Sequence, residues 1–360
     1  MTEQGSPSAG ATGRRNSRAG FALLGGAMLL LVAWTITALH FQTPRSVFWP
    51  AAAAVAVLSG AVLYIGLKHR RSAWLLLALM LAATAAWWLT IRPSNDRDWA
   101  PDVAHTATAD IDGATVVIHD VRNFDWRTET AFSPRWETRR YSLDALTSVD
   151  LVSSVWGNPA IAHTLISFGF SDGRHVVFSV EIRRERNESF SEIGGFFKEF
   201  ELAIIAADEA DIIRLRTDVR GEQVSLFPLR VTPEQARKLF LSYLQASNAL
   251  ARQPQFYQTL TTNCTTVIFQ LARLVEPGIP ADWRILLSGY LPDYLYAHDV
   301  LLTSLPLDET KRAAILARQD PALSPDVDFS TAIRARSPLY DAAPAGVHGN
   351  DASKNDGLKN

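Results

Sequence analysis

The sequence predicts an α+β membrane protein: three N-terminal transmembrane helices followed by a soluble mixed domain. Two observations predict it. Residues 21–91 hold almost no charge outside two short loops, whereas residues 92–336 have the mixed composition of a soluble domain long enough to bury a core. Within that second part, runs of strand-like alternation stand beside runs of helical spacing. Averaged over 360 residues, the chain is 48% hydrophobic and 20% charged with a net charge of −2. That balance gives no case for nucleic-acid binding, and none is expected.

The spans come first. Phe21–Leu39, Val47–Leu67 and Ala73–Ile91 contain no Asp, Glu, Lys or Arg. About 20 such residues are needed to cross roughly 30 Å of hydrocarbon. Trp49, Trp74, Trp87 and Trp88 lie near the ends, where an aromatic belt places them. Arg14, Arg15 and Arg18 precede the first span, and Lys68, Arg70 and Arg71 separate the second from the third. The link between the first two carries only Arg45. The positive-inside rule then sets the N-terminus in the cytoplasm and the rest of the chain beyond residue 92 outside a bacterial inner membrane. The first span also has the basic start of a signal peptide, but its apolar run is too long and no A-x-A site follows. The expected division is a cytoplasmic tail (1–19), an anchor (20–92), a periplasmic domain (93–336) and a disordered tail (337–360) poor in large apolar groups.

In the soluble part, Ala114–Ile118 is a short β-branched run, Asn123–Tyr141 fits no single pattern, and Ser142–Val152 reads as a helix. The clearest β signal is a hairpin of Ala162–Phe170 and His175–Ile182 around Ser171-Asp172-Gly173. A two-residue loop would set the apolar faces against each other. A three-residue loop, with Gly173 left-handed, pairs Phe170 with Arg174, aligns the faces and places His163 opposite Glu181. Apolar runs follow at Leu202–Ala206 and Ile212–Leu215, then a strand at Val224–Leu229. Thr232, Pro233 and Gln235 spell a helix start with a capping box. A second helix begins near Cys264, with Thr261 and Thr262 as candidate caps, and ends before Pro277-Gly278.

Cys264 is the single cysteine, which excludes an intramolecular disulfide and a cysteine-rich zinc site. No cofactor and no metal are expected. Two readings of Cys264 stand: a small packed residue, or a thiol activated by a helix N-terminus. His163 is the candidate base, oriented by Glu181, with an edge-strand histidine beside a surface glutamate as the other reading. His175, on the same face but farther along the hairpin, is the rival third member. Arg183 and Arg184 are weak candidates for lipid or phosphate contact, or else a solvated face. Asp208-Glu209-Ala210-Asp211 spells a helicase word, but no phosphate-binding loop accompanies it. Neither a G-x-S-x-G elbow nor H-E-x-x-H occurs.

Three ordered motifs carry a resemblance: Ala162-His163-Thr164-Leu165-Ile166-Ser167-Phe168, then Ser179-Val180-Glu181 to Arg183-Arg184-Glu185, then Tyr257 to Asn263-Cys264-Thr265-Thr266. Over roughly Trp126 to Asp293 the chain resembles the DUF4105 family, the N-terminal periplasmic domain of the Lnb-type lipoprotein N-acyltransferase. The resemblance implies a permuted papain-like fold, similar to the NlpC/P60 group, in which the histidine strand (His163) precedes the cysteine helix (Cys264). It also implies acyl transfer through a cysteine thioester, with a phospholipid donor and a lipoprotein amino terminus as acceptor. The three N-terminal spans, and the lack of the C-terminal membrane region associated with the full acyltransferase, depart from that pattern and put the acceptor in question. Three functions are therefore expected to compete: a membrane-anchored thiol acyltransferase or acyl hydrolase, a cysteine amidase or peptidase of cell-wall peptide, and a non-catalytic binding module.

Overall fold

The computed structural model describes residues 9–317 and 328–341, with side chains from Ala19 onward. They form two compact units: one holds the described residues up to Pro93 with Phe190–Glu199, the other Ser94–Ser189 with the described residues from Phe200 onward.

The first unit is helical: α1 (Ala9–Gln42), α2 (Arg45–Gly66) and α3 (Arg70–Thr90). From Ala19 onward, all three are long and apolar enough to cross a membrane. They touch through a small core of Leu24, Met28, Val62, Ala73 and Leu77. At Gly66 a Cβ would stand 2.8 Å from Leu24 Cδ2 and 3.3 Å from Ala73 Cβ, so a larger residue there would push the Leu24 side chain aside. The outward surfaces leave Leu29, Leu30, Val57 and Leu75 about 70% exposed, which water would penalise and lipid would not.

The second unit contains strands β1 (Thr108–Asp112), β2 (Thr115–Arg122), β3 (Asp125–Trp126), β4 (Phe132–Ser133), β5 (Trp136–Ser142), β6 (Leu146–Val155), β7 (Ala162–Phe170), β8 (His175–Arg183) and β9 (Glu201–Ala207). Helix α4 (Glu209–Arg214) runs directly into a π-helical turn, Leu215–Val219. Then follow β10 (Gln223–Pro228), α5 (Pro233–Arg252), α6 (Cys264–Val275), α7 (Leu291–Ala297), α8 (Leu307–Ala313), α9 (Phe329–Arg334) and α10 (Pro338–Asp341). The main sheet runs β1-β2-β9-β8-β7-β6-β10, with β5 also on β2. All its pairs are antiparallel except the short β2–β9 contact. One face packs Ile166, Phe168 and Phe178 against Phe240 and Tyr243 of α5 and Val267 of α6. The other packs Leu165, Val177 and Ile205 against Ile212 of α4 and Ile333 of α9.

The hairpin has the expected register. Gly169 pairs with His175 and Leu165 with Ser179, and Gly173 is left-handed at φ 85°. The capping box on α5 is also present. Two expectations are corrected. Ser142–Val152 is not a helix: Ser142 caps one 3-10 turn, Leu143–Ala145, and β6 follows. Both faces of β6 are covered, and Asp150, Ser153 and Ser154 are buried with its apolar residues, so no alternation marks it as a strand. The tail does not begin at Ser337: Leu339 of α10 is buried and Tyr340 bonds to Asp150 at 2.8 Å. Residues 342–360 lie outside the described ones.

Candidate functional site

Cys264 is the first residue of α6. The cap is Asn263, not the neighbouring threonines. Its side chain accepts from Thr266 N–H at 2.8 Å, while Thr266 Oγ1 accepts from Asn263 N–H at 2.9 Å. That reciprocal box fixes where the helix begins, and so fixes the thiol among the unpaired N–H groups of the first turn. The sulfur lies 3.9 Å from Ala162 O at the start of β7 and 3.8 Å from Thr265 Oγ1. Thr265 Oγ1 in turn lies 3.2 Å from Thr164 Oγ1, which ties the helix start to the same strand.

His163 is the second residue of β7. Its Nε2 lies 2.7 Å from Ser179 Oγ and 3.2 Å from Glu181 Oε1, both on β8. Ser179 O–H donates to that same carboxylate oxygen at 2.7 Å. With Nε2 engaged, Nδ1 is the nitrogen left for the thiol. The hairpin register carries this contact, because it stacks His163, Ser179 and Glu181 on one face.

A fourth group, absent from the sequence reading, completes the set. Arg216 lies in the π-helical turn and is almost fully buried; it donates from Nη2 to Glu181 Oε1 at 3.0 Å and from Nη1 to Ile212 O at 2.9 Å. Its Nε has no partner. No local pattern in the sequence announces it: Arg216 follows an apolar run, and only the fold brings it beneath β8. The inserted residue of a π-turn, often found at functional sites, is the one local signal.

The electrostatics follow from these neighbours. Burial pushes the Cys264 thiol up, but the His163 imidazolium beside it and smaller hydrogen bonds from Thr164 draw it down, to about 7. Burial pulls His163 down, but the Glu181 carboxylate and the Cys264 thiolate raise it, to about 9. Burial alone would raise Glu181; His163 and Arg216 hold it well below the usual carboxylate range. Between about 7 and 9 the favoured state is therefore a thiolate–imidazolium pair. Burial raises Tyr243 of α5, the nearby thiolate adds to that rise, and its buried hydroxyl has no partner.

The other candidates lie elsewhere. His175 stands with Asp150 and Glu209, not with Cys264. Those three converge as cation ligands would, but Arg334 already supplies the cation, reaching Asp150 Oδ2 at 2.6 Å and Glu209 Oε1 at 2.8 Å. Arg183 and Arg184 both have partners within the protein. Arg183 is buried, stacks over Trp99 at 4.4 Å and donates to Val103 O, Ala104 O and Asn95 Oδ1. Arg184 pairs with both oxygens of Asp102, at 2.9 and 3.1 Å.

Residues 132–289 match the family model described as the Lnb N-terminal periplasmic domain. That stretch contains Cys264, His163, Ser179, Glu181 and Arg216. No curated protein and no solved structure matches the chain. Three apolar helices and a periplasmic-domain match fit a membrane protein with a periplasmic domain.

Proposed function

We propose that the protein is a thiol acyltransferase or acyl hydrolase that takes acyl groups from phospholipid or lipoprotein at the periplasmic side of a bacterial inner membrane. The observation that carries this reading is the buried Cys264–His163–Glu181 relay, whose thiol is lowered to about 7 by its imidazolium partner. The order of its parts, histidine strand before cysteine helix, agrees with a permuted papain-like arrangement similar to the NlpC/P60 group. Basic residues at Arg14, Arg15, Arg18, Lys68, Arg70 and Arg71, against the lone Arg45, support a cytoplasmic N-terminus.

In this mechanism Cys264 Sγ⁻ attacks the ester carbonyl and forms a C–S bond. The C–O bond to the leaving group breaks as the His163 imidazolium protonates that oxygen. The product is a thioester on Cys264 and a free lysolipid hydroxyl. Water or an amine then gives a proton to His163 and attacks the thioester, releasing the acid or amide and restoring the thiolate. Glu181, held by Arg216 and Ser179, keeps the imidazole turned so that one nitrogen faces the sulfur. Backbone N–H groups of the first turn of α6 are the nearest oxyanion donors.

An amidase acting on cell-wall peptide would use the same relay, and the surroundings favour acyl chains. Gly289 N–H donates to Ala160 O and Ser288 Oγ accepts from Ala162 N–H, so residues 286–289 border the start of β7 beside Cys264. There Ile161, Leu286 and Leu287 are exposed at 39%, 58% and 41%, an apolar rim suited to hydrocarbon.

The test uses the full chain in mixed micelles with a phospholipid carrying a labelled acyl chain. The expected result is label on Cys264, released by neutral hydroxylamine, with lysophospholipid formed in at least equal amount. Cleavage of a cell-wall peptide without any acyl label would transfer the site to the amidase reading. Neither product would leave a binding module.

A further inference from the structure

Phe190–Glu199 follows β8 in the chain but packs with the helical unit. Its contacts reach the ends of two spans on one side of the helices. Gln42 Nε2, at the end of α1, donates to Phe197 O and Lys198 O at 2.8 Å each. Lys198 Nζ donates to Trp88 O at 2.8 Å and Ile91 O at 3.3 Å at the end of α3, and stands 4.5 Å from the Trp88 ring centre. Phe197 stacks on Phe41 with ring centres 5.7 Å apart. These contacts fix the segment at the level where the spans end.

What it does not pack is apolar. Phe190, Ile193 and Phe196 are exposed at 59%, 58% and 44%. The 3-10 turn closed by Phe196 N–H to Ile193 O at 2.9 Å eclipses residues three apart, so Ile193 and Phe196 project together. Exposed aromatic and branched side chains at the end of a membrane span meet the boundary between headgroups and acyl chains, where such groups partition.

We propose that Phe190, Ile193 and Phe196 form a wedge inserted in the bilayer surface on the side where α1 and α3 end. Lipid is the occupant because the wedge continues the lipid-facing surface of the spans to which it is bonded. The chain crosses between units after Pro93, after Ser189 and after Glu199, so the sheet is joined to membrane-embedded segments three times. The strand carrying Glu181 leads into the wedge and β9 leads out of it.

The test uses the full chain in phosphatidylcholine–phosphatidylglycerol nanodiscs, with Cys264→Ser removing the native thiol. Single cysteines at Phe196→Cys and Ile193→Cys carry an NBD probe; Asp172→Cys, at the hairpin turn, is the aqueous control. The expected result is blue-shifted emission at 193 and 196, with most of it lost to lipids bearing a nitroxide near the headgroup. A deep acyl nitroxide should quench less, because interfacial groups sit only roughly 5–10 Å into the boundary. Emission like that of the control overturns the wedge. So does a blue shift that neither quencher reaches, which would mean burial against protein. Because the thiol is absent, neither outcome depends on the acyl-transfer reading.

Discussion

Two buried polar networks share one face of β7 and β8, separated along the strands by Leu165 and Val177, and they differ in what their carboxylates hold. In one, Arg334 joins Asp150 and Glu209, Tyr340 O–H bonds to Asp150, and Ser167 O–H bonds to Glu209. Its carboxylates and tyrosine are tied to partners on α9 and α10, so its outcome is attachment of the C-terminal segment to the sheet. In the other, Glu181 and Arg216 offset each other, and His163 and Cys264 remain as a neutral sum that exchanges one proton. Moving that proton creates two buried charges, which burial opposes; their mutual attraction and the Glu181 carboxylate offset that cost. Each network leaves one guanidinium Nε without a partner, that of Arg216 and that of Arg334, so this cost does not separate them; the buried Tyr243 hydroxyl near the thiol is a further orphan. Similar residue types thus serve a clamp in one place and, on the proposed function, a reactive pair in the other.

The sharpest way to break the comparison is to remove the centre of each network. Cys264→Ala should lower acyl release by on the order of 10⁶-fold and leave thermal unfolding nearly unchanged. Arg334→Ala should do the opposite. It leaves two buried carboxylates without a cation, at about 3–5 kcal/mol, while the remaining folded protein keeps its acyl transfer. Equal losses of activity and stability in both variants would mean one continuous network, not two.

Glu181→Gln comes next. It keeps the shape but loses the charge that orients and charges His163, and kcat should fall roughly 10²–10⁴-fold. A fall of less than threefold would assign the orientation to Ser179 alone. The wild-type rate should be bell-shaped in pH, rising as Cys264 ionises near about 7 and falling as His163 deprotonates near about 9. The clamp titrates elsewhere. Burial alone would raise Glu209, but Arg334 depresses it to about 2, below its ordinary 4.5. A depressed carboxylate stabilises the fold fully above its unfolded value, and that contribution fades as pH falls through about 2. Acid unfolding monitored below pH 4.5 should therefore be shifted upward in Arg334→Ala, in a range where the rate profile is silent.

The sequence exposed what depends on short spacing and concealed what depends on the fold. The three spans were legible because lipid imposes an uncharged stretch of fixed length. The hairpin register was legible because a one-residue slip sets Ile166, Phe168 and Phe170 on the wrong face, and that register alone brought His163 to Glu181. The strand Leu146–Val155 was hidden because both its faces are buried, and with it went Asp150, the anchor of the clamp. The cap of α6 was placed one or two residues early, since Thr261, Thr262 and Asn263 are all competent caps and only the reciprocal bond with Thr266 selects among them. Arg183 read as a weak lipid or phosphate candidate or a solvated residue, and its burial was hidden because its partners, Asn95, Val103 and Ala104, are far away in the chain.

Arg216 gives the smallest and most discriminating prediction. It touches neither the thiol nor the imidazole, and acts on them only through Glu181 and through its charge. That charge lowers His163, against the larger pull of Glu181 and the thiolate. Arg216→Met removes it while filling much of the same buried space. The alkaline limb of the rate profile should then move above about 9, because the imidazolium loses a repelling neighbour. The plateau should fall by less than the loss in Glu181→Gln, since Glu181 keeps His163 and Ser179. A residue that merely packed beneath β8 would lower stability and plateau together and leave both limbs in place, and in that case the relay ends at Glu181.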